Sequence, residues 1–375
     1  MKILHVIPYF TPAWAYGGPP KAVFEIAKNQ VQAGHKVFIL TTTAFEADKT
    51  LSAGVETIEG ITVTRLPNVS NWLMWNFHFC IPIGAQFYLQ QNKFDVIHLH
   101  EVRTLLNLFV LLFGQTKKYF LSPWGTLPYN SSQMLIKKLF DVPLIPLLKK
   151  KISISFGQTE HELSVLHNFL SQKQTKIIPL GIDFGEFKKL PNKLAARKKL
   201  KLDASAFYFL FLGRFSPHKG IEKLLTVFPK LQKKYPNTRL LLVGRDDGYL
   251  KVLQRLIKSC GLEKSVIINN PLYGQDRLFA YRAADTFVFT PTAYEETSTA
   301  CLEALACGLP VVTTEEASIP NMTTADGVMS IKNTDSEILQ AMTFSLENAV
   351  SVNTKKAASL FSWSTISTQM TKAYE

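Results

Sequence analysis

The sequence predicts an α/β protein of two doubly wound, Rossmann-like domains facing each other across a cleft. Three observations lead there. Short apolar runs alternate with amphipathic segments along the chain, the pattern required by a parallel sheet covered by helices. A charged stretch without strand character, 181–202, interrupts the alternation once, after which it resumes. With 375 residues, 46% hydrophobic and 19% charged, the chain can bury two separate cores.

In the first domain, runs rich in β-branched and aromatic residues predict strands over 2–7, 36–41, 61–66, 94–99, 119–122, 152–156 and 176–178. Apolar residues at helical spacing predict helices over 19–33, closed by Gly34, and over 83–91, 104–113, 134–140 and 159–170. The second series predicts strands over 207–212, 239–243, 266–268, 286–289 and 311–313. Its helices are expected over 220–234, 249–259, 275–283 and 300–307, followed by terminal helices from Asp335 and from Ser364. The domains are expected to be 1–183 and 184–360, with a last helix over about 361–375 packing back on the first.

The formal net charge of +13 admits nucleic acid, an anionic membrane or phosphorylated ligands. Its placement narrows the choice. Residues 117–151 carry seven lysines against one acid, Asp141, interleaved with bulky aliphatics. Lysines among aliphatics suit an anionic bilayer surface, whereas a nucleic-acid groove would favour arginines and stacking aromatics, so no nucleic acid is expected. The apolar runs are far shorter than the roughly 20 residues of a spanning helix. Cys80, Cys260, Cys301 and Cys307 have neither pairing nor CxxC spacing, and the start of the chain lacks a signal-peptide layout. A cytoplasmic protein is expected, its basic stretch serving either as a peripheral contact with the inner face of the plasma membrane or as a solvated face of helices.

Two constellations carry chemistry. The first is Glu295 and Glu303, eight residues apart in a run otherwise rich in Ala, Leu, Cys and Val. A buried carboxylate needs a partner. Thr297, Ser298 and Thr299 are N-cap candidates, which would place Glu295 in a loop and Glu303 on the second turn of a helix whose N-terminus suits an anion. Two carboxylates so separated can address two parts of one long ligand, such as the two ends of a sugar nucleotide. The second is Gly213-Arg214, followed by Lys219-Gly220, at the carboxyl end of the second domain's first strand, where a phosphate should sit. Arg214 offers a forked donor and Lys219 a point charge. The plain alternatives are a salt-bridged core glutamate and solvated surface cations.

With these residues in view the chain resembles the family 4 glycosyltransferases. The resemblance runs nearly end to end, through Gly17-Gly18 and the helix after it, Asp95 to His100, Ile178 to Asp183, Gly213-Arg-x4-Lys-Gly220, and Glu295-x7-Glu303-Ala-x-Ala-Cys-Gly-Leu-Pro-Val311. It implies a GT-B fold, a nucleotide-sugar donor such as a UDP- or GDP-sugar, retention of anomeric configuration, and neither cofactor nor metal. It also implies that Arg214 and Lys219 hold the donor diphosphate, Glu295 binds donor-sugar hydroxyls and Glu303 the ribose. Amides around Thr297, Ser298 and Thr299 would contact sugar and phosphate, and Gly17 and Gly18 would close over the diphosphate. A glycan or lipid-linked acceptor would lie on the N-terminal domain.

Departures from the pattern are Glu296-Thr297-Ser298 where Gly-Phe-Gly is usual, Trp124 where many members have a histidine, and Leu180 where asparagine is common. Trp124 could stack on a sugar. His98 and His100 share one side of a strand at a spacing that could serve a metal, but no third ligand is visible nearby. A hydrogen-bonded His98 and a cleft-facing His100 are expected, and His5 is given no role. Residues 270–274 should border the base. A phosphorylase or sucrose-synthase-like enzyme on the same scaffold, and a non-catalytic sugar-nucleotide binder, are the competing readings.

Overall fold

The computed structural model describes residues 1–127, 134–348 and 354–375, with side chains of 134–136 excepted. The chain divides into two compact units, one of Met1–Pro179 with Trp363–Glu375 and one of Leu180–Ser362.

The first unit's strands are β1 (Lys2–Val6), β2 (Lys36–Thr42), β3 (Gly54–Ile58), β4 (Ile61–Leu66), β5 (Val96–His100), β6 (Tyr119–Ser122), β7 (Ile152–Gly157) and β8 (Thr175–Ile177). They form one sheet in the order β3-β4-β2-β1-β5-β6-β7-β8, parallel except for β3. Its helices are α1 (Gly18–Gln32), α2 (Asn71–Phe77), α3 (Ala85–Gln91), α4 (Leu105–Phe113), α5 (Met134–Lys151) and α6 (Glu160–Leu166). In the second unit, β9 (Phe207–Leu212), β10 (Thr238–Val243), β11 (Val266–Asn269), β12 (Thr286–Phe289), β13 (Val311–Thr314) and β14 (Val328–Ile331) pair in the order β11-β10-β9-β12-β13-β14. Around them lie α7 (Lys193–Lys199), α8 (Ile221–Lys234), α9 (Leu250–Ser259), α10 (Arg277–Ala283), α11 (Thr299–Ala306), α12 (Asp335–Glu347) and α13 (Thr354–Ser359). The last helix, α14 (Trp363–Tyr374), belongs to the first unit and packs against α1.

Central strands such as β9 (Phe-Tyr-Phe-Leu-Phe-Leu) are continuous apolar runs because helices cover both faces. Each unit has its own core. One is built on Leu4, Ile39, Ile97 and Leu106, the other on Phe209, Leu241, Phe287 and Leu302. In both sheets the chain reverses winding direction beside the first strand, between β1 and β5 and between β9 and β12. Loops at the carboxyl ends of those strand pairs are where a doubly wound sheet receives ligands.

Several elements differ from the sequence reading. The helix expected to stop at Phe140 continues to Lys151 through Pro143 and Pro146, because Leu144 and Leu148 bury its inner side while both prolines face outward. The supposed connector 181–202 contains α7, which packs on α10, and Arg197 binds the carbonyls of Ala283 (2.9 Å) and Ala204 (2.6 Å) and the Asp285 carboxylate (2.7 Å). The helix expected over 159–170 closes at Leu166. Strand β3 is an exposed edge with no apolar alternation, which is why its pattern was silent.

Candidate active site

The second unit's site grows from the loops after β9 and β12. Beyond β9 the chain passes Gly213 and Arg214, makes a 3-10 turn at Pro217–Lys219 and enters α8 through Gly220 at φ +70°. A Cβ at Gly220 would lie 1.6 Å from the Thr290 carbonyl oxygen, so only glycine lets this loop press onto the end of β12. Two bonds hold the contact: Thr290 Oγ1 donates to the Gly220 carbonyl (3.1 Å) and the Thr292 amide to the His218 carbonyl (2.9 Å).

This anchoring places the Lys219 ammonium 2.6 Å from the Glu295 carboxylate, an ion pair joining the two loops beside the winding reversal. Arg214 is not part of that pair. Its guanidinium, 58% exposed, binds Asp247 at 2.8 Å, and Asp247 also pairs with Arg245 at 3.0 Å. Lys219 and Glu295 are thus brought together, while Arg214 is held by an acid that the sequence reading had not singled out.

Ser298 is the N-cap of α11, and its hydroxyl accepts from no first-turn amide, so those amides lack that cap. Thr297 is buried, its hydroxyl accepting from the Leu180 amide at 3.3 Å, whereas Thr299 opens the helix exposed. On the second turn Glu303 is gripped by Arg277 from Nε (2.9 Å) and Nη2 (3.2 Å) and by the Tyr281 hydroxyl (3.1 Å). Arg277 also reaches Glu186. This answers why the apolar helix carries Glu303: a forked cation on α10 holds it in place. Burial pushes the thiols of Cys301 and Cys307 up to about 12, so both stay protonated and are poor nucleophiles near neutral pH.

Beside these loops is a cavity of about 280 Å³ lined by Gly213, Arg214, Gly244, Arg245, Leu272 and Tyr273, from the ends of β9, β10 and β11. Glycine at 244 is obligatory, since a Cβ there would sit 1.7 Å from the Gly213 carbonyl oxygen.

In the first unit, Gly17 caps α1 at φ +100°, a conformation that favours glycine, and Gly18 begins the helix; space is open around both. His100 is not cleft-facing. It is fully buried, because β5 is a central strand covered by helices. His5 on neighbouring β1 supplies the third imidazole that the sequence reading did not see, and the three rings bring nitrogens within 4.8 Å of one another. Their nitrogens are engaged by protein. The Trp124 indole, which can only donate, gives its proton to His100 Nδ1 at 3.1 Å and stacks on that ring at 5.9 Å. His100 Nε2 then donates to His5 Nδ1 (2.9 Å), and His5 Nε2 to the Gln30 carbonyl oxygen (2.7 Å), a directed chain of neutral rings. His98 bonds the Tyr374 hydroxyl of α14 (2.6 Å) and Ser122 (2.9 Å). Burial lowers His5 to about 4 and lowers His98 and His100 as well, which keeps the chain uncharged.

One further pair emerges at the β1/β5 reversal. The Tyr9 hydroxyl donates to the buried Glu101 carboxyl, which burial raises to about 7, and Glu101 takes a left-handed φ of +63°. Arg277, Tyr281, Asp247, Tyr9 and Glu101 lay outside the sequence reading because their partners are remote along the chain.

Residues 192–358 match the family described as glycosyl transferases group 1. The chain is 26% identical to the alpha-monoglucosyldiacylglycerol synthase of Streptococcus pneumoniae, over 74% of this chain and 64% of that protein. It is 32% identical to a D-inositol 3-phosphate glycosyltransferase of Segniliparus rotundus over 47% of this chain, so it spans under two thirds of the length of both relatives, 39% in the second case. In fold it is similar to the sucrose-phosphate synthase of Thermosynechococcus elongatus (TM-score 0.75, 19% identity, 99% and 98% of the two chains). Anabaena HepE in complex with UDP is alike to the same degree (TM-score 0.75, 19% identity, 100% and 99%). Residues 192–358 thus resemble the group 1 glycosyl transferases, and the chain has the GT-B fold.

Proposed function

We propose that this protein moves a sugar from a nucleoside diphosphate to a hydroxyl of a glycan or lipid-linked acceptor, with retention of anomeric configuration, in the synthesis of cell-surface polysaccharide or glycoconjugate. The Lys219–Glu295 ion pair beside the β9/β12 reversal carries this reading. A cation and a carboxylate held against each other near an uncapped helix terminus suit a ligand with a diphosphate next to a sugar.

On donor entry Lys219 turns from Glu295 to the phosphates, and Glu295 accepts hydrogen bonds from sugar hydroxyls. Arg214, released from Asp247, and the first amides of α11 share the charge that develops on the departing diphosphate. Glu303, fixed by Arg277, receives the ribose hydroxyls, and the base occupies the cavity at Leu272 and Tyr273. Gly17 and Gly18 leave their main chain open to a phosphate. His100 supports Trp124, whose ring is the candidate platform for an acceptor sugar. The reading includes no metal, since cationic side chains and amides supply the positive charge; activity undiminished by EDTA would accord with this, and loss restored by one divalent ion would reject it. Lipid acceptors fit the names of relatives such as the S. pneumoniae synthase, and a uridine donor fits HepE bound to UDP.

The test is a thermal-shift panel of UDP-, GDP- and ADP-sugars followed by product analysis with glycan and lipid acceptors. One donor class should raise the melting temperature. Lys219→Ala should keep the fold and lose about 100- to 1,000-fold in kcat, as expected for removing one stabilising donor. Near-normal turnover rejects the role of Lys219. Donor binding without release of nucleoside diphosphate would favour a non-catalytic binder.

A further inference from the structure

The outer side of the first unit's α3–α4–α5 layer has a character the transfer chemistry does not use. α3 packs beside α4 and α4 beside α5, and each exposes a large apolar side chain. Phe87 is 66% exposed, Leu112 51%, Leu139 74% and Val142 70%. Single exposed leucines are ordinary, but several on adjacent helices are not. On α5 the exposed residues recur at helical spacing, with Leu139, Val142, Pro143 and Pro146 as an apolar strip, Lys138 beside its start and Lys149 and Lys150 beyond its end.

The sequence around this strip is predominantly basic. Between residues 68 and 151 the sequence has three acids, Asp95, Glu101 and Asp141, and nine lysines and arginines. Glu101 and Asp141 are buried, Asp141 receiving both arms of the Arg103 guanidinium at 2.9 Å. Asp95 is exposed, next to the amino end of β5, where it accepts the Lys2 amide at 2.6 Å. The strip on α5 is therefore bordered by lysines, while that helix's one acid is turned inward. A second copy of the same face would meet like charge. An anionic lipid surface complements both its charge and its apolar strip, with lysine stems lying along the lipid and ammonium heads at the phosphates.

We propose that the α3–α5 face docks this protein on an anionic bilayer, Leu139, Val142, Leu112 and Phe87 entering the headgroup boundary while Lys138, Lys149 and Lys150 pair with lipid phosphates. The proposal rests on the transfer reading for its use, since docking would bring a lipid-linked acceptor to the enzyme, but vesicle binding is measured without any substrate. The full chain should co-sediment with phosphatidylcholine vesicles containing phosphatidylglycerol and not with phosphatidylcholine alone, less so as salt rises. Replacing the three lysines (K138Q, K149Q and K150Q) should weaken binding about 100-fold, and Leu139→Ser with Val142→Ser should abolish it. Donor thermal shifts should be unaffected in all variants, which separates failure of docking from failure of the transfer reading. Equal binding to neutral vesicles, indifference to these substitutions, or a concentration-dependent dimer lost in the Leu139→Ser/Val142→Ser variant would each overturn it.

Discussion

Glu303 and Glu101 are both withdrawn from water, and their neighbours set them apart. Glu303 meets a guanidinium and a phenol, so its charge is compensated. Glu101 has the Tyr9 hydroxyl, and burial raises it from 4.5 to about 7. The stability contributed by a carboxyl whose folded value is raised is complete below about pH 4.5 and is lost as pH rises through about 7. Glu101→Gln, which keeps a neutral side chain beside Tyr9, should therefore exceed the parent in stability at pH 8 by on the order of 3 kcal/mol and match it at acid pH. Urea unfolding at the two pH values checks this, and a difference independent of pH would refute it. Glu303→Gln should weaken nucleoside diphosphate binding about 10-fold, the loss expected for one charged hydrogen bond, readable by calorimetry. Glu295, Glu303, Arg214 and Lys219 were legible because each pair lies within one strand-loop-helix unit, where spacing implies position. Arg277 and Tyr281 stand 26 and 22 residues from Glu303, and His5 lies 95 residues from His100, so only strand pairing and helix docking reveal them.

Among the elements, the turn from β9 into α8 is the tightest part of the candidate site. Gly220→Ala would drive a methyl into the Thr290 carbonyl, and relief requires the Lys219 loop to leave the end of β12. The melting temperature should fall by about 10 °C or more, the shift expected for a loss of about 4 kcal/mol in a unit of this size. Scanning calorimetry measures it, and a shift of a degree or two would mean the loop has room to move. Most strands and helices were legible because parallel strands buried on both faces read as unbroken apolar runs and their covering helices as 3.6-residue patterns. Where exposure replaced burial the signal faded, as in β3, and where tertiary packing overrode local preference it misled, as when α5 continued past its prolines.

At the scale of the whole molecule, two separate cores predict two responses to solution conditions. The buried His5, His98 and His100 of the first unit take up protons only when it opens, so acidification below their ordinary value of 6.5 favours the open state. Glu101 acts in the opposite sense in the same range, but one carboxyl is outnumbered by three imidazoles. Calorimetry should thus show one transition lowered between pH 7 and pH 5 and another raised by nucleoside diphosphate; a single transition moved by both would contradict this. α14 adds a consequence of its own. It lies against α1, with Tyr374 joined to His98 and Ser367 to Ile26, although 183 residues of the other unit precede it in the chain. On the ribosome, the amino-terminal lobe must wait with an uncovered flank until that entire stretch has been translated, so a premature stop codon anywhere before residue 363 would leave the earliest-made half unfinished and open to proteases.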